Sequence, residues 1–139
     1  MIRVEETRDL THPRAIRRTV FIEEQRVPEA EEWDGLDGEA IQLVAFDGDR
    51  AVGTARILTG DGYGKIGRVA VLKEGRGLGT GAALMRAAIE RLRATPGIRE
   101  ARLGAQTHAL GFYERLGFVA HGEEYDDAGI PHRNMTLRF

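Results

Sequence analysis

The sequence predicts a single α/β (α+β) domain: one mixed sheet of about seven strands with three to four helices on its faces. Three observations point there. Strand-like and helix-like segments follow in the order β-α-β-β-β-α-β-α-β-β, with no repeat, low-complexity tract or linker between them. The chain has 139 residues and 15.4 kDa, the size of one domain able to bury its apolar surface without covalent staples. Residues 66–85 read as a strand, a glycine-rich turn and a helix start, and the other segments are arranged around them.

Residues 2–5 alternate apolar and polar, as a half-buried first strand does. Thr11-His12-Pro13 opens a helix, with Thr11 as the cap and Pro13 in the first turn. This helix turns Ala15, Ile16, Thr19, Val20 and Ile22 inward and ends near Gln25, ahead of Val27-Pro28. Residues 29–38 are strongly acidic and read mostly as a solvated loop, although Trp33 among them is expected to cover something apolar. Residues 41–46 and 51–58 are strands joined by a hairpin at Asp47-Gly48-Asp49-Arg50. A strand over 63–72 follows the turn Gly60-Asp61-Gly62. The long helix carries Leu84, Met85, Ala88, Ile89 and Leu92 on one stripe and stops at Pro96-Gly97. A strand from Ala101 follows, then a short helix with Ala109, Phe112, Tyr113 and Leu116 on one face. Residues 118–125 and 132–139 form a closing hairpin.

Composition narrows the function classes. Hydrophobic residues make up 42% and charged residues 30%, the balance of an ordinary globular protein. The chain has no cysteine, so disulfides, thiolate nucleophiles and cysteine-ligated metals are excluded, and no metal is called for. Met1 to Glu6 lacks the apolar core of a signal peptide and no run reaches membrane-spanning length, so a cytoplasmic location is expected, with no membrane partner. The net charge of -2, with basic residues interspersed among acids, gives no reason to expect nucleic acid.

The turn at residues 75–81 is an anion cradle. Its glycines let backbone approach a ligand, and the helix start that follows aims N–H groups and a partial positive charge at the same point. A P-loop needs Lys-Ser/Thr after its last glycine, and Gly81 is followed by Ala82-Ala83, so that reading fails. Gly77-x-Gly79-x-x-Ala82 satisfies the dinucleotide fingerprint, yet the next strand ends in Gln106 where an acidic residue should hold the ribose. Arg76-Gly77-Leu78-Gly79-Thr80-Gly81 resembles the acetyl-CoA signature Arg/Gln-x-x-Gly-x-Gly/Ala of the GCN5-related N-acetyltransferase (GNAT) superfamily. Residues 106–118 are similar to that family's Asn-x-x-Ala-x-x-Phe-Tyr-x-x-x-Gly-Phe block, with Gln106 in place of Asn. Val20-Phe21-x-x-Glu24-Gln25-x-Val27-Pro28, residues 105–109 and Gly129-Ile130-Pro131-His132 resemble the YjcF/ElaA-like branch of small acyltransferases.

The resemblance implies a mostly antiparallel twisted sheet splayed at its middle, with acetyl-CoA lying in the gap. It implies that Val69, Ala70 and Val71 present backbone to the pantetheine arm and that Arg76, Gly77, Leu78, Gly79, Thr80 and Gly81 hold the pyrophosphate. Gln106, Ala109, Phe112 and Tyr113 complete the cofactor contacts. Acyl transfer needs a neutral amine, a polarised carbonyl and a protonated leaving group. Tyr113 is the candidate acid, because the family's matching tyrosine lies beside the cofactor sulfur and a phenol can donate to a thiolate. Residues 66–71 hold only Arg68 as an ionisable group, so the base has to come from elsewhere. His108, at a helix start, is the first candidate, with Glu24, Glu124 and His132 behind it. Glu24, Trp33, Arg68, Glu124 and His132 are the candidate acceptor contacts.

The function expected is acetyl transfer to the primary amine of a small molecule, such as an amino sugar or a polyamine, by a monomer or homodimer. The alternatives are a non-catalytic acyl-CoA sensor on the same fold and a dinucleotide-binding oxidoreductase module.

Overall fold

The computed structural model describes residues 1–139 and places seven strands in one sheet of order β1-β2-β3-β4-β5-β7-β6. β1 (Ile2–Thr7), β2 (Ile41–Asp47), β3 (Arg50–Thr59) and β4 (Tyr63–Val71) form an antiparallel meander. β5 (Glu100–Gln106) runs parallel to β4, which requires the crossover supplied by α3 (Thr80–Arg93). β6 (Val119–Asp127) and β7 (Ile130–Arg138) form the closing hairpin, β7 pairing with β5. Its turn is Ala128-Gly129, both at positive φ, the backbone twist that a two-residue hairpin needs. The remaining helices are α1 (Thr11–Arg17), α2 (Glu29–Glu32) and α4 (Leu110–Glu114).

The stripe of α3 buries Leu84, Met85, Ala88 and Leu92 against Leu43, Ala55, Ile57, Ile66 and Leu103 on one face of the sheet. Across the sheet, Ile16 and Val20 pack on Ala70. Helices on both faces thus shield the centre of the sheet, where the two halves meet.

The first helix departs from the sequence reading in three ways. Ala15 is exposed, and Arg17, wholly buried, takes the inward place beside Ile16. Thr11 is the first helical residue and does not cap. The cap position is Leu10, which offers no side-chain acceptor; one residue earlier, Asp9 Oδ1 accepts from the Thr11 N–H at 2.9 Å and from its hydroxyl at 2.7 Å. From Arg18 to Glu24 the helix widens into a π-helix, in which the Gln25 N–H reaches back to the Val20 carbonyl at 3.0 Å. Such widened turns are frequent at functional sites.

β4 and β5 pair only through Tyr63↔Glu100, Gly64↔Ala101 and Lys65↔Arg102. Beyond Lys65, β4 stays with β3 as far as Val71, while β5 stays with β7 as far as Gln106↔His132. The sheet therefore splits into two halves that diverge toward the carboxyl ends of both strands. The cause lies in β4. Its register with β3 shifts between Thr54 and Arg56, and Arg68 adopts φ +52, a bulge that bends the strand.

Candidate active site

The split opens a cleft of about 500 Å³. Ile66 to Val71 form one wall and Leu103, Gly104 and Gln106 the other. Val20, Phe21, Glu24 and Gln25 of the widened helix close it from one side, and Tyr125, Asp127 and His132 of the last hairpin from the other. Past the pairing at Lys65 neither strand has a sheet partner on its facing edge, so the backbone groups there can bind an extended chain.

At one end the cleft meets the glycine-rich turn. Every N–H from Gly77 to Ala82 lacks an acceptor within the protein. Gly77 and Gly79 hold φ of +78 and +76, and a methyl at either would meet nothing within 4 Å, so the cradle is open to its ligand side. The Thr80 hydroxyl is turned inward onto the Gly75 carbonyl at 2.6 Å, which ties the turn shut behind the exposed N–H groups. A row of free donors at the start of a helix fits a pyrophosphate, and a long thiol carrier fits the walls. Gly75 does not belong to the cradle as the sequence reading had it. Its N–H is spent on the Leu72 carbonyl at 2.8 Å and a Cβ there would lie 2.8 Å from the Val52 Cβ, so this glycine serves packing.

Arg76 stands at the head of the turn, half-exposed. Its Nε donates to the Val71 carbonyl at 3.1 Å and its Nη2 to Glu24. Glu24 is therefore committed to the charge that an anionic ligand would want, and is less available as a base than the sequence suggested.

The acidic stretch is no solvated loop. Arg17 donates to Glu32 at 2.7 Å and to Asp37 at 2.6 Å; Arg56 reaches Asp34 at 2.5 Å and Asp37 at 3.2 Å; Arg68 reaches Glu32 at 3.0 Å and Asp34 at 3.3 Å. Three cations and three carboxylates balance in one network that staples this stretch to β3 and β4. Arg56 and neighbouring Arg68 hold the Asp34 carboxyl well below its usual range against the opposing effect of burial. Burial pushes the Asp37 carboxyl up, but Arg17 and Arg56 outweigh it and leave the group lowered. Trp33 lies under the guanidinium groups of Arg14, Arg17 and Arg18 at 5.1–5.7 Å and donates to Glu29 at 3.1 Å. It covers the buried Arg17 and does not line the cleft, which removes it from the acceptor contacts.

Tyr113 lines the cleft between the rings of Phe112 and Phe118, and burial raises its phenol, so the group keeps its proton at neutral pH. Phe112 packs against the core behind it. Gln106 donates to Gln25 at 3.0 Å and accepts from His108 at 2.7 Å, and Ala109 borders the same wall. His132 lies in register between Gln106 on β5 and Tyr125 on β6, and its ring stacks on Tyr125 at 5.8 Å. Tyr125 reaches across to Gly104, where a Cβ would be 2.3 Å from the phenol oxygen. Glu124 does not line the cleft. A bulge between His121 and Tyr125 sets the strand's alternation so that Tyr125 and Asp127 face inward. Sequence reading missed both. The signal was their spacing of two residues, placed opposite His132 across a two-residue turn.

A sheet parted to admit an extended carrier, with an anion cradle at its mouth and a protonated phenol in its wall, defines an acyl-CoA-using transferase. The chain belongs to the family described as acetyltransferase (GNAT) domain, whose model matches residues 7–139. Acetyl-CoA is the acyl donor of that family, and the dinucleotide reading of the turn lapses. The chain is 43% identical over 121 residues to the uncharacterized N-acetyltransferase YjcF of Bacillus subtilis (strain 168), covering 86% of each. The crystal structure of Escherichia coli ElaA superposes with a TM-score of 0.87 at 31% identity, covering 99% of this chain and 100% of that one. An acyl-CoA N-acyltransferase from Pseudomonas aeruginosa superposes with a TM-score of 0.87 at 30% identity, covering 99% of both chains. No helix is long and apolar enough to cross a membrane.

Proposed function

We propose that this chain transfers an acetyl group from acetyl-CoA to the primary amine of a small molecule, by direct attack while both substrates are bound. The observation that carries the reading is the parting of β4 and β5 beyond Lys65 and Arg102, which leads into the free N–H row from Gly77 to Ala82. Acetyl-CoA supplies the activated thioester. The facing edges around Val69 and Val71 offer backbone to the carrier, with the Val71 carbonyl already engaged by Arg76. A backbone N–H near Ala70 would polarise the thioester carbonyl. Arg76 and the N–H row, Leu78 included, would take the phosphate charge, and Gln106 and Ala109 line the cleft beside the carrier. Tyr113 keeps its proton at neutral pH and can give it to the leaving thiolate. Arg68, Glu31 and Asp127 line the acceptor end, the last two carboxylates without a salt-bridge partner. Free carboxylates favour an acceptor that arrives as a cation, so polyamines and amino sugars head the panel to be assayed.

Thiol release from acetyl-CoA across that panel tests the proposal. Tyr113→Phe is expected to lower kcat by about a hundredfold and to leave the calorimetric affinity for acetyl-CoA within a factor of about two. Full turnover by the variant would remove Tyr113 from the chemistry; no heat with acetyl-CoA would sink the whole reading.

A further inference from the structure

We infer that His132 is the base that takes the acceptor's proton, an inference that rests on the acyl-transfer reading above. The geometry fixes its tautomer. Nδ1 lies 2.7 Å from the Ile130 carbonyl, an oxygen that can only accept, so Nδ1 carries the hydrogen. In the neutral ring the lone pair is then on Nε2, which has no partner within the protein. Tyr125 stacks on the ring at an interplanar angle of 27° and gives its own hydroxyl proton to Asn134 Oδ1 at 3.0 Å, so it holds the imidazole in place without competing for Nε2. The arrangement is the one a working imidazole base needs: one nitrogen anchored by an acceptor, the other open to the cleft.

The competing candidates are less well placed. Glu24 is paired with Arg76, and His108, anchored through Nε2–H on Gln106, is exposed at the cleft's edge where His132 is half-buried in its wall. The other titratable or charged groups sharing the cleft with His132 are Asp127 and Tyr125 from β6, Arg68 and Lys65 from β4, Glu31 and Glu32 from α2, and Tyr113 from α4. The proton step balances simply. An N–H bond of the acceptor ammonium breaks, the electron pair stays on nitrogen, and the proton moves to Nε2, from which solvent removes it. Ile130 and Asp127 then stabilise the imidazolium, by accepting from Nδ1–H and by opposite charge.

Two measurements test this. Nitrogen-15 NMR of histidine-labelled protein, assigned with His132→Gln, should show His132 protonated at Nδ1 and bare at Nε2 in its neutral form; the opposite tautomer would overturn the inference. Turnover of acetyl-CoA with the fastest amine of the panel supplies the second. His132→Asn keeps an N–H for the Ile130 carbonyl but has no Nε2, so it separates a structural role from a chemical one. Both variants should lose about a hundredfold in kcat/KM and the acid limb of its pH profile, while acetyl-CoA binding is retained. Wild-type turnover in His132→Asn, or loss of the limb in His108→Gln alone, overturns the inference and leaves acyl transfer standing. Failure of acetyl-CoA to bind overturns both.

Discussion

Asp37 hydrogen-bonds two arginines nearly excluded from water, with the exposed Arg14 at 4.0 Å beside them, and its value lies in what its loss would strand. Removing one member of a buried ionic network leaves an uncompensated charge in low dielectric, a loss larger than the pair's net contribution. Asp37→Asn is therefore expected to destabilise the fold by about 3–5 kcal/mol, read as a lower urea midpoint. The pH dependence has a definite sign. A carboxyl held below its unfolded value contributes stability that is complete above about pH 4, where the unfolded Asp is ionised, and is lost as pH falls through the folded value. Wild-type midpoints should drop below that pH, and the variant should show a shallower drop. None of this was legible in the sequence. Composition shows five acids crowded between residues 29 and 37, but Arg17, Arg56 and Arg68, the partners of Glu32, Asp34 and Asp37, arrive from three separate elements, and only folding brings them together. Arg17 did leave a trace, since it stands on the inward side of α1 next to Ile16.

The strand, turn and helix from β4 to α3 show how one element divides its glycines between two kinds of work. Gly77 and Gly79 supply positive φ with open space beyond, whereas Gly75 makes room for the Val52 side chain and carbonyl. Alanine substitution separates the two roles. Gly75→Ala forces a Cβ against a β-branched side chain and backbone that cannot yield, so thermal unfolding should reveal a loss of about 1–3 kcal/mol. Gly77→Ala meets no atom and costs about 1–2 kcal/mol of left-handed backbone strain, but it projects a methyl into the cradle. Its larger effect should appear in calorimetry, as weaker acetyl-CoA binding. Equal stability losses with unchanged affinity would mean that the turn does not touch phosphate. The spacing of the glycines was readable, and so was the cradle. Which glycine faces ligand and which faces protein was not, because that depends on Val52, a neighbour more than twenty residues away.

At the scale of the whole molecule, the sheet consists of two halves joined at the Tyr63–Lys65 end, and contacts built far from the gap brace one of its walls. Arg68 holds a left-handed backbone while Glu32 and Asp34 grip its guanidinium, contacts that help to support the strain. The bulge that opens the cleft thus shares a residue with the network that pins the acidic stretch. Element order and the glycine signature could be read along the chain, but the parting of β4 from β5 could not, since the contacts that brace it join residues more than thirty positions apart. A sheet with two unpaired facing edges is an incomplete structure, and a carrier that pairs with both should stabilise it by linkage. At a hundred times its dissociation constant, acetyl-CoA should add about 2.7 kcal/mol, a rise in Tm on the order of 8 °C for a domain of this size. NAD at the same concentration should leave Tm unchanged, because it presents no extended amide chain to the strand edges. Replacing Arg68 by alanine should reduce the acetyl-CoA shift by more than it lowers the Tm of the free protein, since the bulge and the gap relax together. A shift of equal size in the variant would mean that the two halves stay apart without the clamp, and the link between the acidic stretch and carrier binding would be broken.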